Sequence, residues 1–150
     1  MTDVKISKLN KIDIEKFKEL IHLFENVFEM VDFKMPEKSH LQKLLESDSF
    51  IVFVALSGEK IVGGLTAYVL QQYYSLRPVA YIYDLAVSNN YQRQGIGKML
   101  VADINDYCKS SGIEEVFVQA DEIDKHALDF YHSTGGKAEK VVHFTYRLNS

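Results

Sequence analysis

Hydrophobic residues recur along the chain with two periods. A period of about two residues indicates strands and one of about 3.6 residues indicates helices, and the order of these runs predicts a mixed α/β fold. The strand-like runs are 4–9, 50–56, 61–71, 79–87, 116–120 and 141–148. The helical runs are 13–28, 41–46, 95–111 and 124–134. Runs 50–56 and 61–71 flank a short glycine-containing turn and predict a hairpin. A strand, a helix and a strand follow one another from 79 to 120, which predicts a parallel pair with a right-handed crossover.

Single residues predict where several of these elements begin or bend. Asp13, Ser39 and Asp124 each precede or open a helical run, where a side-chain oxygen can accept hydrogen bonds from free N–H groups and cap the helix. Gly63 and Gly64 lie inside a strand and predict a bulge or a close backbone contact.

The junction between strand 79–87 and the next helix has the features of an anion-binding site. The first turn of a helix leaves N–H groups without partners, and the helix dipole adds positive potential at the same place. Gly95 and Gly97 carry no Cβ, so a ligand can approach the main chain closely. Further donors and positive charge surround them at Gln92, Arg93 and Lys98. A tight turn alone would also explain two glycines, and the spacing matches neither a P-loop nor G-x-G-x-x-G.

Composition and charge narrow the classes of function. The 150 residues, 47% hydrophobic and 25% charged, fit a single domain over 1–150. The net charge of −4 argues against nucleic acid as a partner, because such binding normally needs a basic face, and it suits a cationic substrate. No stretch reaches the length of a membrane span. The lone Cys108 allows no disulfide within the chain, which favours a reducing cytoplasmic location, and the five histidines show no spacing typical of a metal site.

Gln92, Gly95 and Gly97 match the motif Arg/Gln-x-x-Gly-x-Gly/Ala of the GCN5-related N-acetyltransferases, and the chain resembles that family over essentially its whole length. The resemblance implies acetyl-CoA as cofactor. It also implies a mostly antiparallel sheet with one parallel strand–helix–strand unit and helices on both faces. The coenzyme-binding residues that it implies are Leu85, Ala86, Val87, Gln92, Arg93, Gln94, Gly95, Ile96, Gly97 and Lys98.

Asp84 and Tyr131 are the candidate catalytic residues. Strand 79–87 is otherwise apolar, which predicts a central strand covered on both faces, and a carboxylate there is costly to bury without a partner. Burial raises a carboxyl pKa, which suits a general base; Asp84 is alternatively a ligand of the acceptor or a structural group that accepts hydrogen bonds from a loop. Tyr131 is protonated at neutral pH and can donate to a departing thiolate, unless it is only a core residue.

Acidic residues outside the strands are candidate contacts for a cationic substrate. Asp121 and Glu122 follow strand 116–120 and would attract a polycation, although acids also favour the N-terminal end of a helix for structural reasons. Glu25 and Glu29 would meet a cationic ligand if their end of the first helix lines a cleft. Otherwise they belong to a solvated helix face.

Four segments resemble a narrower group, the type I aminoglycoside 3-N-acetyltransferases: 64–70, 81–87, 93–96 and 117–121. This implies acetyl transfer to a primary amine of an aminoglycoside by direct attack in a ternary complex. The resemblance weakens at 122–126, where Lys125 stands among the acids. Two alternatives keep the coenzyme: transfer to another small amine or a peptide or protein N-terminus, and a non-catalytic coenzyme A-binding module. A homodimer that pairs the final strands is a further expectation.

Overall fold

The computed structural model describes residues 3–149, which fall into two compact units. Of these residues, the first unit ends at Gln119 and holds a five-stranded sheet with three α-helices; the second starts at Ala120 and holds one helix. The strands are β1 (Val4–Lys8), β2 (Phe50–Ser57), β3 (Lys60–Leu70), β4 (Val79–Val87) and β5 (Glu115–Val118). The helices are α1 (Ile14–Val27), α2 (Lys38–Glu46), α3 (Ile96–Ser110) and α4 (Lys125–Ser133).

The sheet follows the order of the chain, β1-β2-β3-β4-β5. The first three pairs of neighbours are antiparallel, and β4 and β5 are parallel. Helix α3 connects the two parallel strands, as a parallel pair requires. The predicted mostly antiparallel sheet with one parallel strand–helix–strand unit is therefore confirmed.

Helices pack on both faces of the sheet, and each face has its own hydrophobic core. Leu100 of α3 and Phe53 of β2 belong to one core. Leu20 of α1 and Val52 of β2 belong to the other, together with residues of α2. Because successive residues of a strand point to opposite faces, β2 is buried continuously from 50 to 55.

Helix α1 lies close to β3 at Gly64. A Cβ at this position would lie 2.5 Å from Leu20 Cδ1 and 2.8 Å from the carbonyl oxygen of Phe53. Beside it, the register of β2 and β3 shifts between Ala55 and Leu56. Both the close backbone contact and the bulge that the glycine pair predicts are thus confirmed.

The helix caps follow the predictions only in part. Asp124 caps α4, because its Oδ1 accepts the N–H of Ala127 at 3.1 Å. Asp13 stands at the N-cap of α1, but its carboxylate accepts the N–H of Asn10 at 2.9 Å instead of a helical N–H. Ser39 is wrong as a cap, because α2 begins one residue earlier and includes it.

Strand β4 is covered on both faces only over part of its length, so that prediction is wrong for its middle. Ala80 and Ile82 are buried, whereas Tyr83 exposes 59% of its surface. Helices α1 and α2 thus leave one face of the sheet open beside Asp84.

The predicted final strand, 141–148, is also wrong, because the structure has no strand there. The segment has the alternation of a strand, but a strand forms only when its backbone pairs with a neighbour, and among the described residues no strand pairs with it. Its apolar side chains expose between 69% and 90% of their surface: Val141, Val142, Phe144, Tyr146 and Leu148.

Candidate functional site

The turn between β4 and α3 leaves backbone N–H groups outside the hydrogen bonds of the helix. Arg93 (φ +64°) and Gly95 (φ +81°) both adopt left-handed backbone conformations, which bend the chain tightly before the helix starts. The first helical hydrogen bond runs from the N–H of Met99 to the carbonyl of Gly95, at 3.0 Å. The N–H groups of the three preceding residues therefore lie outside the helical ladder, at the positive end of the helix dipole.

Gln92 holds this turn in shape from within. Its Nε2 donates to the carbonyl oxygen of Val87 at 3.0 Å and lies 3.2 Å from Asn89 Oδ1. The sequence suggested a donor on the rim, but the structure uses the amide to fasten the turn to the end of β4. Arg93 and Lys98 remain as the cationic side chains of the turn.

Strand β4 has an open edge immediately before this turn. Its pairing with β5 starts at Val79–Glu115 and stops at Ile82–Val118, although β4 continues to Val87. On its other side the strand stays paired with β3 to its end, where Gly63 lies opposite Val87. Among the described residues, the second half of β4 therefore has one unpaired edge, which can accept the amide groups of an extended ligand as an additional strand would.

A bulge in β4 shapes the surroundings of Asp84. Thr66 pairs with Asp84 and Ala67 with Ile82, so Tyr83 has no partner opposite it. Within residues 3–149 the Asp84 carboxylate has no hydrogen-bond or ion-pair partner, which leaves no loop donor for a purely structural role. Burial raises the pKa of this carboxyl above its ordinary value. The result is a partly buried carboxylate available to a ligand.

The other candidate catalytic and substrate residues belong to the second unit. Tyr131 lies on α4, and its ring contacts that of Phe130 edge to face at 5.0 Å. Asp121 and Glu122 are exposed in the segment that leads into this helix. Their proposed roles remain predictions.

The acidic end of α1 does line a cleft. A cleft of about 640 Å³ is bordered by Glu25 and Glu29, with His22 and Asn89 among the other lining residues. His22 Nδ1 lies 3.2 Å from Glu25 Oε1, so one of the two carboxylates already has a partner. The cleft that a cationic ligand would need at this helix end is therefore present.

Three aromatic side chains near Asp84 were missed by sequence reasoning. Tyr68 of β3 lies directly opposite Tyr81 of β4. The ring of Tyr83 contacts both edge to face, with centroid distances of 5.6 Å to Tyr68 and 5.8 Å to Tyr81. We call these three residues the tyrosine cluster. The spacing of Tyr81 and Tyr83 in one strand was a visible signal, but Tyr68 joins them only through the register of β3.

Residues 3–149 contain neither a cluster of metal-ligating side chains nor a membrane-spanning helix. No three His, Cys, Asp or Glu side chains there are arranged to hold a metal ion. None of the helices in that range combines the length and the hydropathy needed to cross a bilayer.

An anion-binding turn at a helix start, next to a strand edge that can pair with amides, fits the diphosphate and the amide-containing arm of coenzyme A. These features define an acyl-coenzyme A-binding fold. The model of the acetyltransferase (GNAT) family matches residues 17–135, and the chain belongs to this family. Its members use acetyl-CoA, which is therefore the cofactor of this chain.

Solved structures of aminoglycoside acetyltransferases are similar to nearly the whole chain. The enzyme meta-AAC0020, from an uncultured soil metagenomic sample, is 58% identical, with a TM-score of 0.96 over 97% of both chains, and has been solved with trehalose and with sisomicin. The enzyme HMB0005, also from soil metagenomic material, is 31% identical, with a TM-score of 0.93 over 99% of this chain and 100% of its own.

Curated relatives match over a shorter range. Human N-acetyltransferase 8 is 30% identical over 112 residues, which are 65% of this chain and 49% of that protein. N-alpha-acetyltransferase 30 of Xenopus laevis is 31% identical over 99 residues, 66% of this chain and 36% of that protein. The chain thus spans about half the length of these curated relatives, or less.

Proposed function

We propose that the chain is an acetyl-CoA-dependent N-acetyltransferase that acetylates the 3-amino group of an aminoglycoside, an activity that would give antibiotic resistance. The observation that carries the acceptor class is the 58% identity, over 97% of the chain, to an aminoglycoside acetyltransferase solved with sisomicin. The resemblance of segments 81–87 and 117–121 to the type I enzymes supports the 3-amino position. In this proposal both compact units form one domain, and the family match across 17–135 supports it.

The coenzyme binds along the open edge of β4 and the start of α3. The free N–H groups of the turn hold the diphosphate, and the unpaired strand edge holds the amides of the pantetheine arm. The cationic side chains of Arg93 and Lys98 add attraction for the phosphates. The binding residues are Leu85, Ala86, Val87, Arg93, Gln94, Gly95, Ile96, Gly97 and Lys98, with Gln92 as the residue that positions the turn.

Acetyl-CoA supplies an activated thioester carbonyl. Asp84 takes one proton from the ammonium group of the acceptor, so that its nitrogen can form the new C–N bond as the C–S bond breaks. Tyr131 donates its hydroxyl proton to the departing sulfur, and the second proton lost by the nitrogen restores that hydroxyl through solvent. Asp121 and Glu122 attract the remaining ammonium groups of a polycationic acceptor.

Thiol release from acetyl-CoA, measured across aminoglycosides, linear polyamines and peptides, tests this proposal. We expect saturable release with sisomicin and a product that carries one acetyl group, at the 3-amino nitrogen by NMR. Acetylation at another amine would reject the regiochemistry and keep the acceptor class. Release with none of the amines, together with tight coenzyme binding, would instead identify a non-catalytic coenzyme A-binding module.

A peptide or protein N-terminus is the second candidate acceptor, and the similarity to N-alpha-acetyltransferase 30 favours it. Such an acceptor would need an open groove for several residues of extended chain. In the same panel, release with peptides and none with aminoglycosides or other small amines would select it.

A homodimer and a cytoplasmic location complete the proposal. The exposed apolar segment 141–148 would be covered by a second copy, since two aromatic side chains of about 150–250 Å² each supply much of the ~800 Å² that a partner buries in a standard interface. Light scattering should show a dimer that Phe144→Ser with Tyr146→Ser converts to a monomer; a monomeric parent chain would contradict it. The buried free thiol of Cys108 suits a reducing compartment, and cell fractionation tests it.

A further inference from the structure

The tyrosine cluster is held rigidly by contacts at its edges. The ring of Tyr81 stacks on Phe117 of β5, with centroids 4.8 Å apart and an angle of 4° between the planes. Its hydroxyl donates to Gln119 Oε1 at 2.8 Å. Tyr68 contacts the ring of Phe50 at 5.0 Å. These contacts within the chain fix two of the three rings.

The third ring is the exposed one. Tyr83 is the extra residue of the β4 bulge, and a bulge redirects the side chain that it carries. Its edge-to-face contacts with Tyr68 and Tyr81 hold it upright, while 59% of its surface stays accessible. An aromatic ring that is fixed by its neighbours and open to solvent is a preformed contact surface, because little side-chain freedom is lost when a ligand binds.

A negative charge lies next to these rings. Asp84 follows Tyr83 directly, and it has no partner among the described residues. Burial raises the pKa of both Tyr68 and Tyr81, and the charges of Tyr83 and Asp84 raise it further, so Asp84 lies close enough to act on both phenols. The hydroxyls of Tyr68 and Tyr81 therefore stay neutral beside this carboxylate.

We propose that the tyrosine cluster is the part of the acceptor site that binds an ammonium group, with ring faces that attract the cation and Asp84 as its counter-charge. The negative face of a tyrosine ring attracts an ammonium ion, and the same face packs against the C–H groups of a sugar. A neutral occupant would leave the Asp84 charge without a partner, so charge complementarity selects a cationic one. This inference rests on the proposed N-acetyltransferase function and assigns a set of contacts within its acceptor site.

The test compares Tyr83→Leu, which removes the ring and keeps apolar bulk, with Tyr83→Phe, which removes only the hydroxyl. Tyr73→Leu is the matched control, because Tyr73 is also exposed and its ring contacts that of Tyr74. We expect Tyr83→Leu to raise the KM for sisomicin about tenfold, and Tyr83→Phe to change it less than about threefold. In both Tyr83 variants, the kcat at saturating sisomicin and the KM for acetyl-CoA should stay within about twofold of the parent chain. Tyr73→Leu should have the same kcat and KM values as the parent chain.

Calorimetry separates this inference from the proposed function, because it needs no turnover. Sisomicin or spermidine is titrated into the chain saturated with coenzyme A, with trehalose as a sugar that carries no ammonium group. If the parent chain acetylates no aminoglycoside but Tyr83→Leu weakens amine binding about tenfold, the tyrosine cluster binds ammonium groups as proposed and the aminoglycoside acceptor is wrong. Two results would overturn the inference and leave the function in place, provided that the parent chain acetylates sisomicin. Either Tyr83→Leu binds sisomicin as tightly as the parent chain, or Tyr73→Leu loses as much affinity for sisomicin as Tyr83→Leu.

Discussion

Replacing Gly95 by alanine tests whether the turn before α3 binds the coenzyme through its backbone. Gly95 has φ +81°, and an added Cβ would meet no atom of the chain within 4 Å. Alanine there suffers only the cost of left-handed backbone, about 1–2 kcal/mol. For a chain of this size that cost lowers the Tm by about 2–8 °C. We expect the new methyl group, however, to obstruct a diphosphate that approaches the main chain of the turn.

Gly112 provides a matched control at the other end of the same helix. It has φ +78°, and an added Cβ there also meets nothing within 4 Å. Thermal unfolding followed by circular dichroism should show similar decreases in Tm for Gly95→Ala and Gly112→Ala. Only Gly95→Ala should weaken coenzyme A binding in calorimetry, by about 10- to 150-fold, because a hydrogen bond to a charged group contributes about 1.5–3 kcal/mol.

Two results would refute this reasoning. Equal coenzyme affinity in Gly95→Ala and the parent chain would show that the diphosphate does not contact this backbone. Equal losses of coenzyme A affinity in Gly95→Ala and Gly112→Ala would assign the weaker binding to a less stable α3 instead of to the turn.

Substitutions at three other positions give independent tests. Burial raises the pKa of Asp84, so its ionised carboxylate lowers the unfolding free energy. This loss grows as the pH rises from the unfolded pKa of about 3.9 through the raised folded pKa. Asp84→Asn should therefore raise the Tm at neutral pH but not well below about pH 3.9, and should lower kcat at least about tenfold; an unchanged kcat would remove Asp84 as the base. Gln92→Ala and Gln92→Glu both lose the donor to Val87, so both should weaken coenzyme A binding in calorimetry, and normal binding by the Gln92→Glu variant would contradict the anchoring role. Gly64→Ala would force a methyl group against Leu20 and should lower the unfolding free energy in urea by about 1–3 kcal/mol, whereas an unchanged midpoint would mean that α1 shifts freely.

Much of the fold could be predicted because its signals are local. The period of apolar residues depends only on neighbours along the chain, and it predicted β4 over 79–87 with the same bounds as the structure. Glycine at a left-handed position and the free N–H groups of a first helical turn are local as well. The anion-binding turn before α3 was therefore visible in the sequence.

Other predictions failed or were missed because they depend on partners distant in sequence. Segment 141–148 has strand-like alternation, but alternation cannot supply the neighbouring backbone that a strand requires, and the structure leaves it unpaired. The amide of Gln92 turned inward because Val87 and Asn89 lie within reach, which no motif records.

The sequence by itself determined most of the helices and strands, the glycine turn and the lone carboxylate of β4, since each follows from residue type and spacing. Tertiary structure alone decided what surrounds that carboxylate. The register of β3 brings Tyr68 opposite Tyr81, and the bulge leaves Tyr83 without a partner beside Asp84. Register and bulges are set by how strands pair across the sheet, so side chains far apart in the chain become one surface only after folding.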